Sequence, residues 1–193
     1  NAEAGATAGF FKGALRLRAA LFHSQWKKIQ SDQYLPSGLP MTVNIGDGTN
    51  TGLELGLTWQ PDEHLRIRAN ALLENPQLTR AANVFPATPN TGLPGVPDRM
   101  GSVDVRYVWR PWQGFEAELA GQYAYVGPSF LTFDRGKINA MGDYGVSRVS
   151  ARLASRQWRM EVYVDNLADV RENTFAFGNP FSREVASQAT PLR

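Results

Sequence analysis

The residues able to do chemistry are few and scattered. There are two histidines, His23 and His64, far apart in sequence. A nucleophile needs a base within hydrogen-bond reach, and no Gly-x-Ser-x-Gly elbow presents one. A catalytic triad would have to be assembled from long loops. No His-x-x-x-His or Cys pair stands at metal-ligand spacing. Asp-Gly-Thr-Asn at 47–50 and Asp-Asn-Leu-Ala-Asp at 165–169 offer oxygen ligands for calcium, but Asx turns or capped strand ends explain them more simply. Glu116 and Glu118 point the same way, as an acid/base couple would. Among so many arginines they read instead as part of a charge-balanced surface. The glycines of NIGDGTN, 44–50, lack the Lys-Ser or Lys-Thr and the following helix of a phosphate loop. The expectation is therefore no catalytic residue, no metal ligand, no cofactor and no enzyme.

Composition narrows the classes further. The 193 residues are 42% hydrophobic and 20% charged, which is globular rather than disordered. A net charge of +2 argues against a nucleic-acid partner. With no cysteine, disulfides and zinc-thiolate sites are excluded. No run of about 18 apolar residues forms a transmembrane helix.

What must position these residues is a set of strands. Leu15, Leu17, Ala19 and Leu21 alternate with Arg16, Arg18, Ala20 and Phe22. The same period of two recurs at 52–59, 65–71, 102–109, 115–123, 148–153 and 158–164, seven times in all. The segment 18–30 could be drawn as a helix, but the alternation leading into it argues for a strand. No strand is read in the ten residues that open the chain.

Connections alternate in length. Short ones follow Trp59 and Trp109 and precede Trp158, and GFFKG at 9–13 reads as a fourth. Long ones are expected at 26–51, 74–100 and 127–143. In an antiparallel meander this puts every short turn at one end and every long loop at the other, the layout of an outer-membrane β-barrel. Trp59, Trp109, Trp112, Phe115 and Trp158 border the short turns, and Phe22, Trp26, Tyr123, Tyr125 and Tyr144 lie toward the long loops. Such aromatic girdles mark headgroup depth. The faces opposite the apolar ones carry Arg16, Arg18, Arg66, Arg68, Asp104, Arg106, Glu116, Glu118, Arg148, Arg152, Arg159 and Glu161, which a barrel would turn to its lumen. The competing class is a soluble β-sandwich or lipocalin-like domain that binds a small apolar ligand, its apolar faces packed together. Loop asymmetry and girdles favour the barrel.

Several stretches resemble the C-terminal part of TonB-dependent receptors. ALFHSQWKKIQSDQYL at 20–35 resembles a receptor strand carrying an aromatic, a Trp and a following Ile-Gln. Gly52-Leu53-Glu54 followed by Trp59-Gln60-Pro61 resembles the next hairpin, with its Gly-x-Glu strand and Trp-x-Pro turn. YVDNLAD at 163–169 resembles the Asn-Leu-x-Asp signature of the penultimate strand, and QYAYVGPS at 122–129 a strand entering an outer loop. The resemblance implies an all-β antiparallel meander of about seven strands. Residues 1–193 would form a single partial barrel domain without plug or final strand. It implies a Gram-negative outer-membrane location and energy-coupled uptake of a scarce nutrient such as a siderophore, cobalamin or a saccharide. Implied partners are TonB through an N-terminal part not present here, the plug of the same parent chain, and outer-membrane lipid. The fragment is expected to self-associate through open strand edges. Tyr34, Phe85, Phe130 and Phe133, in the outer loops, would touch a ligand or pack the loops.

Overall fold

The computed structural model describes residues 1–34, 39–83, 90–131, 133 and 140–172. The chain is a single antiparallel meander. Its long strands are β1 (Ala2–Phe10), β2 (Leu15–Tyr34), β3 (Pro40–Trp59) and β4 (Leu65–Ala81). After a short β5 (Thr91–Gly92) come β6 (Arg99–Trp109) and β7 (Glu116–Val126). The small ribbon of β8 (Ser129–Phe130) and β9 (Ala140–Met141) precedes β10 (Tyr144–Ala154) and β11 (Arg159–Asp165). The sheet runs β1-β2-β3-β4-β6-β7-β10-β11, with β5 paired to β4, and among the described residues it is open at β1 and β11. No α-helix occurs among the described residues, and 18–30 lies within β2.

Two expectations need correction. There are eight long strands rather than seven, because Ala2–Phe10 pairs along its whole length with β2, from Ala2 opposite His23 to Phe10 opposite Leu15. Alanine and glycine are poor strand formers in isolation. Here a neighbour with strong alternation supplies the ladder. GFFKG is indeed the connection between the two, a tight 3-10 turn over Phe11–Gly13 with left-handed Phe11, Lys12 and Gly13. The second correction is the segment 26–51, which is mostly strand: β2 and β3 stay paired out to Tyr34 opposite Pro40. The alternation is hidden by a bulge between Trp26 and Ile29, where Lys28 adopts φ +54°. A bulge adds one residue and shifts the phase. Twenty-residue strands run about 66 Å at about 3.3 Å per residue. That far exceeds the 9–11 residues needed to cross a bilayer, so this hairpin stands proud of the rest of the sheet.

Register sorts side chains onto two faces. Leu17, Leu57, Ala69, Val103 and Tyr123 lie in one cross-strand row, and Ala19, Leu55, Ala71, Gly101 and Tyr125 in the next. The other face carries charge. Among the described residues no second sheet covers the apolar rows: Leu21 is 62% and Val162 68% exposed, and the buried hydrophobics are Ala20, Ile45, Leu78 and Ala117. Monomers in water rarely expose apolar patches above about 300–600 Å². Apolar faces packed together, which a soluble β-domain requires, are not what the chain forms. Among the described residues a small core sits in the projecting end, where Ile29, Val43, Leu93 and Phe133 pack on Ile45 and Leu78.

Candidate functional site

The charged face is organised in cross-strand rows. Arg16, Thr58, Arg68, Asp104, Gln122, Arg148 and Asp165 form one. Glu118, Arg152 and Glu161 form another nearer the short turns. Opposite charges facing each other across strands stabilise the pairing. All twelve residues expected on this face share it by strand parity. The densest cluster lies between β6, β7 and β10. Arg152 Nη2 donates to Glu118 Oε2 at 3.0 Å and sits 3.6 Å from Glu116, and Arg106 Nη1 is 3.7 Å from Glu118. Arg148 pairs with Asp165 at 3.2 Å and lies over the Tyr163 ring at 4.3 Å. Gln122 Nε2 donates to Asp104 at 3.3 Å. Arg106, Glu118, Gln122, Arg148 and Arg152 line a polar cleft of about 330 Å³ together with Glu161. Glu118 is the anchor, only 8% exposed and shared by two arginines. A carboxylate held this way is an ion-pair acceptor, not a free general base. By contrast, Arg16, Arg68 and Arg159 have no acid within salt-bridge reach among the described residues. On β2–β4, Arg18 reaches Glu54 at 3.9 Å and Arg66 donates to Gln60. The β2–β4 wall is therefore the more basic half.

The short-turn end is aromatic. Phe115 contacts Trp112 at 5.9 Å and Trp158 at 5.8 Å, both edge-on. Tyr107 bridges Trp109 and His64. The His64 ring bonds the Val108 carbonyl at 2.8 Å, so it ties adjacent strands together. In the same turn Asp62 accepts the backbone N–H groups of His64 and Leu65, both at 2.8 Å. Those bonds hold its carboxyl below the usual value of 3.8, with the Leu65 amide contributing most.

At the long-loop end the expected calcium candidates are locked into backbone. Asp47 accepts the Lys28 amide at 2.9 Å and pairs with Arg80. The Lys28 amide is the chief cause of its lowered pKa. Asn166 both donates to and accepts from the Val170 backbone at 2.9 Å, closing the turn of DNLAD. Among the described residues no three His, Cys, Asp or Glu side chains converge. Of the outer-loop aromatics, Phe133 packs on the Ile45–Leu78 core. Phe130 stands in β8, and its carbonyl accepts the Gly95 amide at 2.8 Å. Tyr34 ends β2 opposite Pro40, and Phe85 lies outside the described residues. Sequence reasoning missed Asn50 and Glu74. Asn50 is buried and donates to Glu74, and its Oδ1 has no partner. Only the pairing of β3 with β4 brings the two near each other.

The model of the family described as TonB dependent receptor-like, beta-barrel matches residues 1–167. Among solved structures, the siderophore receptor PiuA from Acinetobacter baumannii aligns over 98% of this chain and 26% of its own, at 20% identity and TM-score 0.70. The ferric yersiniabactin uptake receptor FyuA from Yersinia pestis aligns over 97% of this chain and 27% of its own, at 24% identity and TM-score 0.74. The copper transporter OprC aligns over 98% and 29%, at 16% identity and TM-score 0.63. The chain thus spans about a quarter of the length of the receptors it matches. The open meander, its two faces and the family match agree: the chain belongs to the TonB-dependent receptor β-barrel family, Gram-negative outer-membrane proteins that are receptors rather than enzymes.

Proposed function

We propose that residues 1–193 are a single partial barrel domain, the C-terminal part of a receptor that takes up a scarce nutrient by energy coupling. The chain would supply barrel wall and outer loops, and a plug and a TonB-contacting segment would come from the rest of the receptor. The observation that carries this reading is one sheet with two solvents: an uncovered apolar face and an ion-paired polar face. A bilayer suits the first, and a hydrated lumen holding a plug suits the second. The lumen-facing set is then the twelve charged residues named above. Arg16, Arg68 and Arg159, unpaired within the sheet, are read as plug contacts, so the plug surface against them carries carboxylates. Cargo binds at the outer end, with Tyr34, Phe85, Phe130 and Phe133 as its candidate contacts. Siderophores, cobalamin and saccharides are the candidate classes, and the names of the similar receptors make siderophores the first to try. The test is uptake of labelled ferric siderophores, cobalamin and oligosaccharides by cells carrying the complete receptor, with and without TonB. TonB-dependent uptake of one class, lost on deleting residues 83–97, is expected. Uptake that survives loss of TonB, or is indifferent to that deletion, overturns the reading.

A further inference from the structure

The two halves of the charged face differ in how their ions are satisfied. On β6, β7, β10 and β11, Arg106, Arg148 and Arg152 find their acids inside the sheet. Glu118 lies 3.7 Å from Arg106 and 3.0 Å from Arg152, Glu116 3.6 Å from Arg152, and Asp165 3.2 Å from Arg148. Asp104 accepts from Gln122. On β2, β3 and β4, Arg16, Arg18, Arg66 and Arg68 stand beside Glu54 and Glu74 by strand parity. Glu54 reaches Arg18 at 3.9 Å, and Glu74 accepts from Asn50. Arg16 and Arg68 flank Thr58 in one cross-strand row. Neither has an acid within salt-bridge reach among the described residues.

The contrast continues toward the outer mouth. Outward from Asp104, Gln122 and Arg148 the next row is Ser102, Ala124 and Val146, and the one after is Met100, Val126 and Tyr144. None of these six is charged. At the same two depths the other half carries Arg18 and then Glu54. Inward of the uncharged rows lies the polar cleft of about 330 Å³ beside Arg106, Glu118 and Arg152. A polar opening and an uncharged track therefore lie in line on β6, β7 and β10.

A plug that withdraws from a wall strips that wall of every bond the plug supplied. Arg106, Arg148 and Arg152 keep their partners, because the partners sit on neighbouring strands. Arg16 and Arg68 lose theirs, and a charge left without its partner in a confined site is costly. A passing solute also needs a wall that it touches weakly, since tight sites hold what they bind. Charges of both signs, already paired with each other, present little net field to a solute. We propose that when the plug is pulled, the aqueous passage for cargo opens against β6, β7 and β10, while Arg16 and Arg68 keep the plug attached to the β2–β4 wall. This rests on the receptor reading above and names the side of the lumen that cargo uses.

The test places single cysteines at matched depths in the complete receptor, its other cysteines replaced by serine; residues 1–193 contain none. Gln122→Cys and Thr58→Cys share one row, and Ala124→Cys and Asn70→Cys the next. Cells given the cargo class that shows TonB-dependent uptake are treated from outside with a membrane-impermeant maleimide, with and without TonB. With TonB, labelling of Gln122→Cys and Ala124→Cys should rise several-fold. Labelling of Thr58→Cys and Asn70→Cys should stay at the level seen without it. Adding Arg16→Gln with Arg68→Gln should abolish the difference, because Thr58→Cys then labels as readily as Gln122→Cys. Heat-dependent gel mobility shows whether each variant keeps its barrel. Ser102→Cys or Gly56→Cys, from the same row as Ala124 and Asn70, replaces one that does not. Equal labelling of the two walls, faster labelling on the β2–β4 side, no change with TonB at any position, or a difference that survives loss of both arginines overturns the proposal. If no cargo class shows TonB-dependent uptake, the receptor reading fails and the proposal with it. Uptake without a difference between the walls overturns the proposal alone.

Discussion

Replacing Glu118 by glutamine removes one charge from a buried point of the polar face and changes almost no volume. Its carboxylate accepts from Arg152 at 3.0 Å and lies 3.7 Å from Arg106. A hydrogen bond to a charged group nets about 1.5–3 kcal/mol, and breaking a fully buried pair costs about 3–5 kcal/mol. Neither arginine is fully buried: the side chains of Arg152 and Arg106 are 24% and 43% exposed. Arg152 also keeps Glu116 at 3.6 Å. The Arg106 contribution thus falls in the surface range, below about 1 kcal/mol, and Arg152 carries most of the remainder. The sum is about 2 kcal/mol for Glu118→Gln and about 3 kcal/mol for Glu118→Ala, the former about a 30-fold change in the folding constant. The assay is urea unfolding of the complete barrel in lipid vesicles, followed by tryptophan fluorescence. A double-mutant cycle with Arg152→Gln should give a coupling of about 1–2 kcal/mol, larger than the cycle with Arg106→Gln. If Glu118→Gln stays within about 0.5 kcal/mol of the parent, or if Arg106 couples as strongly as Arg152, water screens the cluster and the ion-pair account is wrong.

Three further outcomes are expected. Asp62 has a folded pKa below its ordinary 3.8 because the Leu65 and His64 amides bond it. Its contribution is therefore present above that value and lost as pH falls through the lower folded value. Amide exchange at His64 and Leu65 should be faster in Asp62→Ala than in the parent at neutral pH, and the difference should fade on acidification below 3.8. Gly46 holds φ +136°, and a Cβ there would collide with the Arg80 carbonyl. Gly46→Ala should therefore separate β3 from β4 in the projecting end, at about 1–3 kcal/mol or more, seen as new protease cleavage near 78–83 with the membrane-spanning part intact. Trp158→Ala removes an edge-on partner of Phe115, worth about 0.5–1.5 kcal/mol beyond its area, and should lower the urea midpoint without changing cargo binding.

Parity made most of this legible from sequence. Once Leu15–Leu21 or Val103–Trp109 is read as alternating, which residues share a face follows without further information, and the twelve charged positions fall together. Partner choice within that face does not follow. Glu118 meets Arg106 and Arg152 because β7 lies between β6 and β10 in one particular register, and register is a property of pairs of strands. β1 escaped because Ala4, Ala6 and Ala8 contrast too weakly with Gly5, Thr7 and Gly9 to show a period. The projecting hairpin escaped because the bulge after Trp26 shifts its phase. DNLAD was readable as a turn because Asn and Asp bond their own backbone, and Asn166 does so with Val170.

The open edges give the last expectation. Among the described residues β1 pairs only with β2, and β11 only with β10. In an antiparallel strand, alternate residues turn both backbone groups the same way, so nine-residue β1 presents about eight unpaired N–H and C=O groups outward. At about 1–3 kcal/mol for each group left unsatisfied out of water, one edge alone would cost about 8–24 kcal/mol, comparable with or greater than the whole stability of a typical domain at about 5–15 kcal/mol. An open sheet of this kind cannot sit in lipid, and within the complete receptor neighbouring strands satisfy both edges. In water the edges hydrate, but the apolar face does not: Leu21, Met160 and Val162 lie exposed on it, each worth about 1.5–3 kcal/mol on burial. Residues 1–193 alone, refolded without detergent, should therefore associate face to face and edge to edge. Sedimentation velocity at low micromolar concentration should show oligomers that dissociate when detergent is added. A clean monomer in detergent-free buffer would mean that the chain covers its apolar face by itself, and that the face is not made for lipid.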